Sequence, residues 1–262
     1  MSEQILNEII VKDYAKIQSD IESFLLQHVT KSHGFVFGLS GGIDSAVIAQ
    51  ICAGSFKDRT LALIMPDSKI SPKAETEDAL HLVDSLGLDY KLIDISMIQS
   101  QFANILEPDE LALGNLRARI RTSILYYYAN LKNRLVVGSS DKSEYLIGYF
   151  TKYGDGGADL FPIISLYKTQ VKELAKFLGI KQSIISKKSS PYLWKGHLAE
   201  DEIGVTYEEI DQILYCMVDK KMSDDATADA TGIKNDKIEK IHQLYKKSEH
   251  KRIMPARPND VK

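Results

Sequence analysis

The stretch Phe35-Val36-Phe37-Gly38-Leu39-Ser40-Gly41-Gly42-Ile43-Asp44-Ser45-Ala46-Val47-Ile48 decides the fold. A β-forming apolar run stops at a loop of small residues, and the apolar spacing then becomes helical. A strand feeding a Gly-rich turn that opens a helix is an anion site. Backbone N–H groups converge there, and the helix terminus adds partial positive charge. Gly41 and Gly42 carry no side chain to hold an oxyanion off the backbone. No Lys follows the glycines, so a GxxxxGK[ST] loop is absent, and GxGxxG also fails here.

Outward from that turn, strands and helices alternate. The pattern predicts strands at 35–39, 60–65, 89–95 and 135–138, with helices at 44–53, 73–86, 96–106 and 113–131. The run 60–65 is continuously apolar, as a parallel strand buried on both faces requires. Gly87 is placed to stop the helix before it. The expected class is α/β, a parallel sheet with helices on both faces and right-handed crossovers. In such sheets ligands collect beyond the carboxyl ends of the strands. Strand one ends at Ser40-Gly41-Gly42, strand two at Met65-Pro66-Asp67-Ser68 and strand four at Gly138-Ser139-Ser140, so three loops face one crevice.

Before the first strand, Ile10, Tyr14, Ile17, Ile21, Phe24, Leu25 and His28 form one apolar stripe on a predicted helix, suited to the sheet or a partner subunit. The second half is less regular. Residues 149–159 are Gly-rich and polar, 168–178 are helical, and 187–204 read as a mobile loop. Thr206-Tyr207-Glu208-Glu209 is a capping box opening a helix to about residue 218, and a last helix spans about 234–248. A basic tail with Pro255 and Pro258 follows. No repeat or linker divides the chain, so residues 1–262 are expected to form one domain.

Composition narrows the function classes. Thirty-three Lys and Arg are mixed with 36 Asp and Glu, a net charge of −3, which argues against a nucleic-acid-coating protein but leaves room for a local basic pocket. Cys52 and Cys216 make no CxxC pair and read as buried thiols. Glu3, Glu8, Lys12 and Asp13 interrupt any signal-peptide pattern, and no run of about 18 apolar residues occurs. The expectation is a soluble cytoplasmic protein with no membrane contact.

SGGIDS at 40–45 resembles the SGGxDS loop of the ATP pyrophosphatases, which hold the pyrophosphate end of ATP and cleave between the α- and β-phosphates. Asp44 beside polyphosphate would be repelled unless a cation lay between them, so Mg2+ bridging is the natural account; Asp44 as a plain helix cap is the other reading. Glu144, just past the strand-four loop, offers a second carboxylate, although a lone helical Glu is commonly solvated.

A second motif narrows the family. Gly148-Tyr149-Phe150-Thr151-Lys152-Tyr153-Gly154-Asp155-Gly156-Gly157-Ala158-Asp159 closely resembles the GxFTKYGDGGAD segment of the ammonia-dependent NAD synthetases. Further matches follow in order at 115–121, 162–168, 200–211 and 248–252, so the resemblance runs from about Phe35 to Arg252. It implies an adenine nucleotide α-hydrolase-like, Rossmann-like fold. The implied reaction makes NAD from deamido-NAD, ATP and ammonia through an adenylate, releasing pyrophosphate and then AMP. The family is homodimeric, with deamido-NAD near the interface. The N-terminal stripe and the 113–131 helix are candidates for that surface.

Carried over by position, the resemblance implies that Gly38, Leu39, Ser40, Gly41, Gly42, Ile43, Asp44 and Ser45 form the pyrophosphate loop. Asp44 and Glu144 would hold Mg2+, and Lys168 would reach the ATP phosphates. Ser139 stands where the family commonly has Thr, and the loop hydroxyl that contacts ATP falls on Ser190. Arg119, Lys152, Asp159, His250 and Lys251 would bind deamido-NAD. Without the resemblance, Arg119, Lys168 and Lys251 read as solvated surface charge. Two departures stand out: Ser189-Ser190-Pro191-Tyr192-Leu193-Trp194 lacks the Asp of the common PSADLW, and Ser139-Ser140 replaces Thr-Asp or Thr-Ser.

His28, His81 and His242 show no metal-ligand spacing, and Tyr126-Tyr127-Tyr128 reads as core or interface. Glutamine-using relatives carry an added amidase domain of about 100 residues or more, which the 34 residues before Phe35 could not hold, so ammonia, free or from a separate partner, is the expected nitrogen source. Two alternatives remain at this stage. One is another ATP pyrophosphatase ligase of the GMP synthetase or tRNA-modifying kind; the other is a catalytically silent nucleotide sensor.

Overall fold

The central strand β1 (Phe35–Gly38) pairs in parallel on one side with β2 (Thr60–Ile64) and on the other with β4 (Leu135–Val137). Beyond β2 lies β3 (Asp89–Leu92), giving the order β3-β2-β1-β4. The computed structural model describes residues 2–29, 34–190 and 192–255. Register places Phe35 opposite both Thr60 and Leu135. Position in the sheet explains composition: β2 is buried at every residue, whereas β3 is an edge exposed along its length and tolerates Asp89 and Lys91.

The helices are α1 (Ser2–Ile10), α2 (Tyr14–His28), α3 (Ile43–Phe56), α4 (Lys73–Leu86), α5 (Ser96–Ala103), α6 (Glu110–Lys132), α7 (Lys142–Ile147), α8 (Lys168–Phe177), α9 (Gln182–Ile185), α10 (Ala199–Ile203), α11 (Tyr207–Leu214), α12 (Asp224–Thr231), α13 (Asn235–Lys247) and α14 (Glu249–Arg252). Alternation along β1 splits the core into two layers. Phe35 and Phe37 face Ile48 and Cys52 of α3, Leu25 of α2 and Leu174 of α8, while Val36 joins Leu61, Leu63 and Val136 against Ile120 and Ala129 of α6. Helices therefore cover both faces. A separate apolar cluster joins Ile9, Ile147, Tyr207, Ile210, Ile213 and Ile241.

Local chemistry sets several boundaries. Gly87 ends α4 at φ +60°, and Thr206 with Glu209 forms the capping box of α11. Asp141 caps α7 by accepting the Glu144 N–H at 2.8 Å.

Several expectations need correction. The N-terminal stripe belongs to two helices, because Asp13 adopts extended backbone and caps α2 by accepting the Lys16 N–H. Of the two uses expected for the stripe, packing on the sheet is the one seen for Ile21 and Leu25, which are buried in the sheet-side core, while Ile10 packs against the separate cluster. The helix from Tyr207 ends at Leu214 and continues as a π-helical turn, Tyr215–Asp219. Helix α12 was not foreseen. Its Ala, Asp and Thr make no apolar stripe, yet Ser223 caps it and the Thr227 and Thr231 hydroxyls bond the carbonyls four residues back. The expected loop 187–204 contains α10, and its side chains are fastened to the cleft as described below. Pro191 and the basic tail beyond residue 255 lie outside the described residues.

Both cysteines are buried, and burial pushes the Cys52 thiol up to about 12, consistent with an inert packing role. Among the described residues, no helix is long and apolar enough to cross a membrane.

Candidate active site

The turn after β1 is held by its own hydroxyls. Ser40 N–H donates to Ser45 Oγ at 3.2 Å, Gly42 N–H donates to Ser40 Oγ at 3.2 Å, and Ser45 Oγ donates to the Gly42 carbonyl at 3.0 Å. Gly41 sits at φ +87°, and a Cβ there would lie 2.4 Å from the Glu75 carbonyl oxygen. Only glycine fits. The first N–H groups of α3, from Ile43, Asp44 and Ser45, follow directly, and helix geometry leaves such donors without intrahelical acceptors.

Above the strand ends opens a cleft of about 500 Å3. Gly38, Leu39, Ser40, Gly42, Ile43 and Asp44 line it from the first loop, Met65 and Pro66 from the second, and Gly138 and Ser139 from the fourth. Three loops thus face one crevice. Glu144, Ser190 and Lys251 also line it.

Behind Asp44 and Glu144, which line the cleft, Lys168 projects its buried ammonium among three carboxylates. Nζ lies 2.8 Å from Asp44 Oδ2, 2.6 Å from Asp141 Oδ2 and 2.9 Å from Glu144 Oε1. The Lys168 and Asp141 side chains are fully buried, whereas those of Asp44 and Glu144 remain 19% and 20% exposed and open to the cleft. Burial alone would lower the Lys168 pKa, but the charges of Asp141, Asp44 and Glu144 outweigh it and hold the ammonium well above its ordinary value. Burial, reinforced by the Asp141 charge, pushes Glu144 up to about 8 against the pull of Lys168, and burial likewise raises Asp141. Tyr207 donates to Glu144 Oε1 at 3.2 Å, completing the enclosure.

Carboxylate oxygens of Asp44, Asp141 and Glu144 all lie within 4.8 Å of one another. Asp44 Oδ1 is buried without a hydrogen-bond partner among the described residues. Three carboxyl groups share one ammonium, and Glu144, raised to about 8, would give up its proton to a bound cation. An orphaned carboxylate oxygen in an all-oxygen donor set fits a hard divalent cation such as Mg2+.

The Gly-rich segment 148–159 also lines the cleft, directly after α7. The Thr151 carbonyl accepts the Gly154 and Gly156 N–H groups, and Asp155 Oδ1 accepts the Thr151 N–H at 2.9 Å. A Cβ at Gly156 would fall 2.2 Å from the Phe150 ring. Lys251 donates to the Gly148 and Phe150 carbonyls at 2.7 and 2.8 Å, and burial lowers its pKa. Arg119, Lys152 and His250 form a chain outside the cleft lining: Arg119 Nε donates to the Lys152 carbonyl and Lys152 Nζ to the His250 carbonyl. Asp159 stands apart. Its carboxylate accepts the Val136 N–H at 2.7 Å and the Tyr126 hydroxyl at 3.2 Å, which pins β4 to α6.

The 187–198 segment closes one side. Lys187 Nζ donates to Glu75 Oε2 at 2.8 Å and to the Gly41 carbonyl at 3.1 Å, and pairs with Asp78 at 2.6 Å. Tyr192 donates to Glu75 Oε1 at 3.0 Å. Ser190 Oγ donates to the His197 carbonyl and accepts the Tyr192 N–H at 3.1 Å, so its hydroxyl fastens the segment to itself.

Sequence reading missed Asp141, Glu75, Lys187 and Arg121. Arg121 lines the cleft and donates from Nε to the Met65 carbonyl at 2.9 Å, with no carboxylate within ion-pair distance among the described residues. For Asp141 a signal existed: Asp-Lys-Ser-Glu directly after a strand is a helix-start pattern.

Residues 17–255 match the family model described as NAD synthase. The chain belongs to the NAD synthase family. Among similar family members, the NH(3)-dependent NAD(+) synthetase of Hyperthermus butylicus is 46% identical over 259 residues, covering 97% of this chain and 94% of that protein. The counterpart from Thermococcus kodakarensis is 44% identical over 251 residues, covering 94% of this chain and 98% of the relative. The NH3-dependent NAD synthetase of Campylobacter jejuni, solved with a nitrate ion, superposes with a TM-score of 0.80 at 37% identity, covering 95% of this chain and all of that one. The NMN synthetase of Francisella tularensis superposes with a TM-score of 0.82 at 34% identity, covering 95% and 99%. The NAD synthase fold is thus the α/β architecture described above.

Proposed function

We propose that this chain amidates deamido-NAD to NAD with ATP and ammonia. The observation that carries this reading is the Lys168 ammonium held by Asp44, Asp141 and Glu144, of which Asp44 and Glu144 line one cleft with the Ser40–Ser45 turn, Arg121 and Lys251.

In the first step a nicotinate carboxylate oxygen attacks the α-phosphorus of ATP. The bond to the β-phosphate bridging oxygen breaks and pyrophosphate leaves. Direct amidation fails because oxide is a very poor leaving group, whereas AMP leaves readily. In the second step ammonia attacks the acyl carbon, the carbon–oxygen bond to AMP breaks, and the surplus proton passes to base. Negative charge grows on the departing pyrophosphate, so donors fixed in advance at that point lower the barrier. The N–H groups of the Gly38–Ser45 turn and Lys168 act there, with Ser139 at the ATP side. Bound Mg2+, held by Asp44 and Glu144 with Asp141 behind them, would supply charge neutralisation to the phosphates.

Beside the 148–159 segment, Lys251 in the cleft and Arg119, Lys152 and His250 outside its lining receive the dianionic pyrophosphate and the carboxylate of deamido-NAD. Asp159 acts there indirectly, through Val136 and Tyr126. Ser190 acts by holding its segment over ATP. The working unit is one domain, a homodimer in the cytoplasm, with the exposed Tyr127 and Leu131 of α6 as the apolar surface offered to a second copy.

Purified protein with Mg-ATP, deamido-NAD and ammonium is expected to form NAD, AMP and pyrophosphate in equal amounts. Nicotinate mononucleotide in place of the dinucleotide tests the substrate choice that the Francisella tularensis relative raises. Release of ADP and phosphate would overturn the reading, and use of glutamine without ammonium would overturn the nitrogen source.

A further inference from the structure

Lys168 is placed from both of its ends. Its ammonium is held by the three carboxylates, but its backbone is held from elsewhere. As the first residue of α8, it has an N–H with no intrahelical acceptor, and so has Thr169. Ser143 Oγ accepts the Lys168 N–H at 2.9 Å, and Asp211 Oδ2 accepts the Thr169 N–H at 2.8 Å. Ser143 in turn donates its hydroxyl to Asp211 Oδ1. All four residues are buried, Asp211 and Ser143 completely. Asp211 sits on α11, 68 residues from Ser143 and 42 from Thr169, so it joins three elements remote in sequence.

Ser143 lies between Asp141 and Glu144 on the first turn of α7, and Lys168 and Thr169 open α8. The carboxylates and the ammonium therefore ride on two helix starts. These are tied to each other by the Lys142 N–H on the Leu166 carbonyl at 2.8 Å and by the Lys168 bonds to Ser143, Asp141 and Glu144, and Asp211 braces both starts from a third element. The Asp211 carboxyl group spans that junction. A shift of an ångström between the two starts would move Lys168 off the departing pyrophosphate.

We propose that Asp211 is a positioning residue for adenylation: through Ser143 and Thr169 it sets the register between the Glu144-bearing and Lys168-bearing helix starts. This rests on the amidation reading above. It assigns a rate-determining role to a side chain that lines no part of the cleft.

The test compares Asp211→Ala, Asp211→Asn and Ser143→Ala with wild type in pyrophosphate release and NAD formation, with unfolding midpoints measured in parallel. Asp211→Ala removes both bonds, and kcat is expected to fall about 10- to 100-fold while KM for ATP and deamido-NAD stays within roughly threefold. Asp211→Asn still accepts the Thr169 N–H and can donate to Ser143, so it is expected to restore most of kcat. Ser143→Ala, which covers the case of an unfolded Asp211→Ala, is expected to lower kcat without KM. His242→Ala breaks the remote His242–Asp224 pair, 3.0 Å long, and is expected to leave kcat unchanged. Full kcat in Asp211→Ala or Ser143→Ala, a loss that appears in KM instead, or no rescue by Asn overturns the inference alone. Wild-type protein that makes no NAD overturns the amidation reading and this inference with it.

Discussion

Lys168 Nζ lies 2.6 Å from Asp141 Oδ2, and both side chains are fully buried. A charge pair taken wholly out of water is costly to form and more costly to break by halves. Lys168→Met would leave Asp141 facing Asp44 and Glu144 without a counter-charge. Expected outcomes are destabilisation of about 3–5 kcal/mol in chemical denaturation and a loss of at least about 100-fold in pyrophosphate release. Added Mg2+ should recover part of the stability and little of the rate.

Lys251 lines the cleft and reaches the Gly148 and Phe150 carbonyls. Lys251→Met is expected to raise KM for deamido-NAD about tenfold or more, with KM for ATP nearly unchanged. Initial-rate kinetics with each substrate varied in turn separate the two. An equal rise in both would place Lys251 in a general structural role.

Glu75 holds Lys187 through one oxygen and Tyr192 through the other. Glu75→Gln weakens both contacts and is expected to speed tryptic cleavage after Lys187 or Lys188. ATP with deamido-NAD should slow cleavage of the wild type if this segment closes over nucleotide. Identical cleavage with and without ligands would remove that closure from the account.

Burial pushes the Asp211 carboxyl up to about 7, above its ordinary value of 3.8. The folded state therefore binds this proton more tightly than the unfolded chain. The resulting stability is full below about pH 4 and is lost as pH rises through about 7. Asp211→Asn lacks the titration, so its unfolding free energy should fall less than that of the wild type between pH 5 and pH 8. Parallel slopes in urea unfolding would contradict the assignment.

Legibility in the sequence followed the range of the forces involved. The strand–turn–helix at 35–48, the Gly87 stop and the Thr206 capping box depend on neighbours a few residues away, and each appears where local chemistry put it. The break at Asp13 and helix α12 were missed because a cap and back-bonded threonines compete with an apolar period that ran on in one case and was absent in the other. Lys168 read as solvated charge by itself. Its carboxylate neighbours lie 124, 27 and 24 positions away in the chain, and only packing shows that they enclose it.

By itself the sequence determined the α/β class, the glycine-rich strand-to-helix turn and, through the 148–159 motif, the resemblance to NAD synthetases, because periodicity and glycine placement are properties of contiguous residues. Tertiary structure alone decided that Asp141 joins Asp44 and Glu144, that Glu75 latches Lys187, that Asp159 and Ser190 hold backbone, and that Asp211 spans two helix starts. Hydrogen-bond and charge partners remote in sequence are chosen by burial: a polar group enclosed with the core must find whatever partner the packed elements bring to it.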